Sequence, residues 1–265
     1  MNLYILKLGG SVITDKKGNN LSVKRKKLDS LAKIISVALK KEKFKLIIIH
    51  GAGPFGHKLV TDYGIKNGLK KNADVTGFVK THNSMETLNK IVIESLLSKG
   101  VNAMTIQPSA CLIHNNKKIE KFDTSIIEKL LALGIVPVLY GDVVFDKKIK
   151  GSVVSGDAII AYLAKKLNAR KVLLGTDVDG IFDSNPKKNK NAKLIEKINN
   201  KNIKELIKKA EESSSVDVTS GMKGKLLEIK NNIKGKKVYI FNLEKEKNLS
   251  DLLSNKKAKC TELLF

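Results

Sequence analysis

Apolar residues along this chain fall into short continuous runs separated by amphipathic stretches. Leu3–Leu8, Leu46–Ile49, Asn102–Ile106, Ile135–Leu139, Val172–Leu174 and Val238–Phe241 are too short for helices and predict buried strands. Between them, apolar positions recur with helical spacing over Lys24–Lys41, Asp74–Ser98, Thr124–Leu133, Asp157–Leu167, Ile203–Ala210 and Met222–Asn232. Alternating strands and helices predict βαβ units, hence an α/β fold with a mainly parallel sheet covered on both faces. Asn115-Asn116 and Asp146-Lys147 lie between short β-type runs and predict hairpin turns added to that scaffold. A charged loop follows Pro186 over Lys187–Lys193, and the distribution of motifs places a lobe boundary near Asn168.

The candidate chemistry sits where strands end. Leu46–Ile49 open directly into His50, Gly51, Ala52, Gly53, Pro54, Phe55, Gly56 and His57, and Leu3–Leu8 run into Gly9, Gly10 and Ser11 just after Lys7. Glycines let backbone approach phosphate oxygens, and the unpaired N–H groups that open a helix lie in a positive field. Pro54 suits a first helical position, where its missing N–H costs nothing. A tight turn that binds nothing would look the same. Two such turns on neighbouring parallel strands, however, would face one crevice at the carboxyl ends of the sheet. Neither is closed by Gly-Lys-Ser/Thr, which argues against a P-loop NTPase, although Gly51, Gly53 and Gly56 have the G-x-G-x-x-G spacing.

Further turns follow the same logic: Tyr140–Val143, Ser155–Asp157 with Asp157 in the first turn of a helix, and Gly175–Gly180. In Asp217–Lys225 a glycine precedes a helix whose first turn carries lysines. Cations are disfavoured at a helix N-terminus, and a bound polyphosphate would remove the conflict.

The chain has 265 residues, 42% hydrophobic, enough for one large α/β domain or two lobes. Its formal charge of +24 would ordinarily suggest nucleic acid, but of 50 basic residues only Arg25 and Arg170 are arginines, aromatic content is 5%, and tryptophan is absent. Bidentate readers and stacking platforms are therefore scarce, and the charge is that of a lysine-biased solvated surface, with no specific nucleic-acid partner expected. Cys111 and Cys260 are isolated, indicating neither a zinc site nor a disulfide framework and fitting a reduced, cytoplasmic setting. No apolar run approaches the length of a membrane span, so no membrane association is expected.

K-L-G-G-S at Lys7–Ser11, the turn His50–Gly53, S-G-D at Ser155–Asp157, T-D-V-D-G-I-F at Thr176–Phe182 and D-V-T-S-G-M-K-G-K at Asp217–Lys225 resemble, in order and across nearly the whole chain, the amino acid kinase family. T-D-K at Thr14–Lys16, F-G-H at Phe55–His57 and Y-G-D-V at Tyr140–Val143 resemble its archaeal-type isopentenyl phosphate kinase branch. The resemblance implies a three-layer αβα sandwich with an open, mainly parallel sheet, usually a homodimer. Residues 1–168 would form the acceptor-binding lobe and residues 169–265 the ATP-binding lobe. The implied reaction is transfer of a phosphoryl group from ATP, accompanied by Mg²⁺, to isopentenyl phosphate. Lys7 and Lys225 would grip the ATP phosphates, with Gly9, Gly10, Ser11, Gly53 and Gly221 in close backbone approach, and Lys16 would meet the transferring group. His57 would hydrogen-bond the acceptor phosphate in a site lined by Ala52, Gly56 and Gly156. Asp157 would orient the lysines, and Thr176, Asp177, Asp179, Gly180 and Phe182 would form the nucleotide edge.

Ser220 and Pro54 depart from the family pattern: the first restricts φ beside Gly221, the second removes one N–H donor. The competing readings are acetylglutamate, glutamate or uridylate kinase, or a non-catalytic nucleotide or polyanion binder. Arginine suits a carboxylate acceptor, and both arginines lie outside the glycine turns. Phe78, Val79, Met85 and Ile91 are candidates to line an apolar acceptor tail, although core packing demands the same stripe.

Overall fold

The computed structural model describes residues 1–15, 21–184, 186, 189–203, 205–206, 233 and 235–264. Eight strands form the main sheet: β1 (Asn2–Leu8), β4 (Phe44–His50), β5 (Ala103–Thr105), β8 (Val136–Tyr140), β11 (Lys171–Thr176), β12 (Lys197–Asn199), β13 (Lys237–Asn242) and β14 (Cys260–Leu264). Their order is β12-β14-β13-β11-β1-β4-β8-β5. From β13 to β5 every pairing is parallel; β14 turns against β13 and carries β12 with it. All six predicted strands are present.

Period-two alternation sends successive side chains of the central strands to opposite layers. Tyr4, Leu6, Leu8, Leu46 and Ile48 pack with helices α2 (Arg25–Lys41), α4 (Asn72–Ser98) and α8 (Glu246–Leu253), through Leu28, Leu31, Ile35, Val92, Leu96 and Leu249. Ile5, Ile47, Ile49, Val172 and Leu174 pack on the other face with α6 (Ser125–Ala132) and α7 (Gly156–Lys166), through Ile127, Leu131, Ile159, Ile160 and Leu163. This is the expected αβα sandwich. Each fully buried Leu or Ile contributes about 1.5–3 kcal/mol relative to exposure, so the central strands anchor whatever their ends carry.

The predicted hairpins build a second sheet, ordered β10-β9-β6-β7, from β6 (Leu112–Asn115), β7 (Lys118–Phe122), β9 (Asp142–Asp146) and β10 (Lys150–Val154). Asp146 ties both turns together. Its fully buried carboxylate accepts backbone N–H bonds from Asn116 (3.0 Å), Lys117 (2.7 Å), Lys148 (3.0 Å) and Ile149 (3.2 Å). Burial alone would raise its pKa, but these donors outweigh it and hold the carboxyl down at about 2. A two-stranded ribbon, β2 (Thr14–Asp15) and β3 (Ser22–Val23), short helices α1 (Gly10–Ile13), α3 (Gly53–Asp62) and α5 (Pro108–Cys111), and a 3₁₀ turn over Ile65–Asn67 complete the described elements. The helix expected over Met222–Asn232, and most of that over Ile203–Ala210, lie outside the described residues.

Candidate active site

Strands β11, β1 and β4 are neighbours, and the turns that leave their carboxyl ends press on one another. A Cβ at Gly9 would lie 2.7 Å from the Gly175 carbonyl oxygen, one at Gly51 would lie 2.7 Å from the Gly10 nitrogen, and one at Gly10 would overlap the Gly53 backbone. Glycine is thus required first by backbone-on-backbone packing of three turns. The same packing keeps side chains away from the rim of the crevice. Gly53 also has φ of +51°, which an L side chain would strain. Pro54 stands in the first turn of α3, where its missing N–H is harmless.

Lys7, next to the last residue of β1, is in register with Ile49 of β4 and Leu174 of β11, so it stands at the centre of this rim. Its ammonium forms an ion pair with Asp157, in the first turn of α7; the two side chains are 11% and 22% exposed. Ser155 caps α7 by accepting the Ala158 N–H at 3.0 Å, and a carboxylate is favoured at that helix end. Gly156 sits where a Cβ would come within 3.2 Å of Ile49 and 3.5 Å of the His50 carbonyl, and Gly141 packs against the Gly156 nitrogen. Lys7, Gly9–Ser11, Gly51–Gly56, Gly156–Asp157 and Gly175–Thr176 are therefore brought to one end of the sheet.

His57 is exposed on α3. That helix is held close to α4: a Cβ at Gly56 would lie 3.2 Å from the Met85 sulfur, and Ser84 donates its hydroxyl to the Phe55 carbonyl at 2.9 Å. Of the tail-pocket candidates, Met85 is wholly buried with Phe55, Leu88 and Tyr140, Ile91 packs on the core, Phe78 lies against Gly151, and Val79 is exposed. His50, at the end of β4, is a packed residue. It is buried, stacked on Tyr140, and bonded through Nε2 to Asn89 at 3.1 Å. Burial pushes its pKa down to about 4 against the opposing pull of Gly51 and Asn89, so it is neutral near pH 7.

On the nucleotide side, Asp179 is committed to holding the loop. Its carboxylate meets Lys245 at 2.7 Å and Lys259 at 3.1 Å, which lowers its pKa against the effect of burial. Thr176 Oγ1 closes a turn by donating to the Val178 carbonyl at 3.0 Å, Gly180 has φ of +155°, and Phe182 pairs with Leu194. Asp177 lies in the same loop, half-buried. Lys16, Gly221 and Lys225, with Ser220 and Lys223, lie outside the described residues.

The structure also shows a polar cluster that motif reading missed. His82 on α4 lies 3.0 and 3.2 Å from the two carboxylate oxygens of Asp142, which is buried at the start of β9, and its Nε2 is 2.7 Å from the Gln107 amide nitrogen. Nε2 also lies 3.5 Å from the Glu86 carboxylate, so the ring stands between Asp142 on one side and Gln107 and Glu86 on the other. Burial raises the Asp142 pKa, offset in part by His82. Tyr140–Val143 drew attention to Asp142, but nothing in the sequence links it to a histidine 60 positions earlier.

A parallel sheet whose carboxyl ends gather glycine turns around a lysine–aspartate pair suits the binding of phosphate groups. The amino acid kinase family matches residues 2–242, and the chain belongs to that family. It is 39% identical over 233 residues to the isopentenyl phosphate kinase of Methanothermobacter thermautotrophicus, covering 86% of this chain and 85% of that protein. It is 38% identical over 254 residues to the isopentenyl phosphate kinase of Methanocaldococcus jannaschii, covering 93% of each. Among solved structures, an isopentenyl phosphate kinase superposes with a TM-score of 0.85 at 35% identity, over 98% of this chain and 99% of the other.

Proposed function

We propose that the protein phosphorylates isopentenyl phosphate with ATP, giving isopentenyl diphosphate and ADP. The observation that carries this reading is the 38–39% identity, over nearly the full length, to two isopentenyl phosphate kinases. The arginines agree with it: Arg25 on α2 reaches Glu94 at 3.9 Å and Arg170 bonds Asn2 at 3.1 Å, so neither is placed at the glycine turns to clamp a carboxylate acceptor.

In this reading an oxygen of the acceptor phosphate attacks the γ-phosphorus of ATP as the bond to ADP breaks. A phosphate monoester has its second pKa near 6, so at pH 7 it is mostly dianionic and no side chain need remove a proton. The barrier comes from bringing two anions together and from charge spread over the moving group. Lys7 and Lys225 neutralise the ATP phosphates, Lys16 meets the transferring group, and Asp157 holds Lys7 in place. Backbone N–H groups of Gly9–Ser11, Gly53 and Gly221 approach the phosphates, and Thr176–Phe182 borders the nucleotide. His57 bonds the acceptor phosphate beside Ala52, Gly56 and Gly156. Residues 1–168 would carry the acceptor pocket and residues 169–265 the rest of the nucleotide site, with Lys7 and the glycine turns of the first lobe reaching across to the ATP phosphates. Mg²⁺ would accompany ATP, held largely by phosphates and water.

A homodimer in a reducing cytoplasm completes the reading. Two free cysteines fit that compartment, and among the described residues no helix is long and apolar enough to cross a membrane. Phosphorus NMR of the protein with Mg-ATP and isopentenyl phosphate tests the reaction. New diphosphate resonances growing with those of ADP are expected; ADP released with inorganic phosphate alone would overturn it.

A further inference from the structure

β11 and β13 begin with Lys171 and Lys237, at the end of the sheet opposite the glycine turns; along β11 the two ends are about 17 Å apart. A cavity of about 690 Å³ opens there, within the range of about 300–1,000 Å³ typical of small-molecule sites. Lys171 forms part of its wall while being only 6% exposed. Its ammonium donates to the Leu252 carbonyl at 2.9 Å and to Asn255 at 2.7 Å, and lies 4.7 and 5.7 Å from the ring centres of Tyr4 and Tyr239. Among the described residues no carboxylate pairs with it.

Surface lysines are commonplace in this chain, but a buried lysine without a carboxylate is not. Arg170, Lys197, Lys237, Lys256 and Lys257 line the same cavity against two acidic residues, and one of those, Glu262, already accepts the Tyr239 hydroxyl at 3.0 Å. Burial, followed by repulsion from Lys237 and Arg170 and opposed by Glu42, lowers the pKa of Lys171 to about 8. The positive charges therefore crowd one another around a half-open cavity, and a multiply charged anion would relieve them. Leu194, Leu252 and Ala258 add an apolar wall to the same space.

We propose that this cavity is a second ligand site, separate from the reaction crevice, that takes a small organic diphosphate with its head at Lys171, Lys237 and Lys257 and its apolar part against Leu194 and Leu252. The test is titration calorimetry on the full chain, without nucleotide or Mg²⁺, using inorganic pyrophosphate and geranyl diphosphate as probes. Geranyl diphosphate should show two binding events. Lys237→Gln with Lys257→Gln should weaken one of them at least about tenfold and leave turnover unchanged, whereas Lys7→Met should weaken the other. At the event sensitive to Lys237 and Lys257, geranyl diphosphate should bind about tenfold tighter than pyrophosphate. A single event governed by Lys7 alone would overturn the proposal. So would equal binding of the two probes, or equal weakening by the distant pair Lys121→Gln with Lys129→Gln, which would reduce the effect to net charge.

Discussion

The two ends of the central strands solve opposite electrostatic problems. At the carboxyl end, Lys7 is paired with Asp157, and the turns around it are built from glycines that fit only against one another's backbone. At the amino end, Lys171 is more deeply buried, has carbonyls and aromatic rings for neighbours, and faces further cations. In a chain of net charge +24, the number of lysines does not locate chemistry. What distinguishes the ends is the company of each ammonium: a carboxylate at Lys7, and a carbonyl, an amide oxygen and two aromatic rings at Lys171.

Removing the aimed charge should have the largest effect. Lys7→Met is expected to lower kcat/KM by about 10²–10³ while the fold is kept, because charge stabilisation of the moving phosphoryl group is lost. Asp157→Asn, which leaves Lys7 charged but unaimed, should lose about tenfold to 10²; steady-state kinetics with a thermal melt checks both, and wild-type rates for Asp157→Asn would break the contrast. His57→Ala should cost about tenfold or more in kcat/KM for the acceptor with KM for ATP unmoved, and a shift confined to ATP would reassign that side chain.

Asp146 sharpens the comparison from the anionic side, since backbone N–H groups satisfy it. Asp146→Asn should destabilise the fold by about 2–3 kcal/mol in urea unfolding at pH 7. Its folded pKa of about 2 lies below the unfolded value, so the stabilisation is complete above about pH 4–5 and fades as pH falls toward 2. The gap between wild type and variant should shrink over that window. The smallest effect belongs to Lys171. Its folded pKa of about 8 is depressed, so between pH 8 and about 10.4 the unfolded chain binds more protons and stability rises with pH. Wild type should therefore gain on Lys171→Met across that range, and parallel pH profiles would show that the buried ammonium carries no penalty.

The central strands were legible because both of their faces are covered, which makes them continuous apolar runs such as Leu46–Ile49. β14 was not: only Thr261 and Leu263 of Cys260–Leu264 are fully buried, and so short an alternation near the end of the chain gives little signal. α8 is no shorter than α6, which was read, but its only apolar residues are Leu249, Leu252 and Leu253 at its far end, after charged and polar positions that give no stripe. Within the site, the glycine turns and Ser155–Asp157 were visible because their chemistry is local. His82–Asp142, Asp179 with Lys245 and Lys259, and Lys171 with Leu252 and Asn255 were not, because each joins distant segments that only the sheet order brings together.

The central claim is that this crevice joins two phosphates. Its most direct test is ADP release with Mg-ATP and a panel of acceptors: isopentenyl phosphate, dimethylallyl phosphate, N-acetylglutamate, glutamate and UMP. Turnover confined to the isoprenoid monophosphates, and lost in Lys7→Met, is the predicted result. Turnover with a carboxylate or nucleotide acceptor, and none with isopentenyl phosphate, would contradict it.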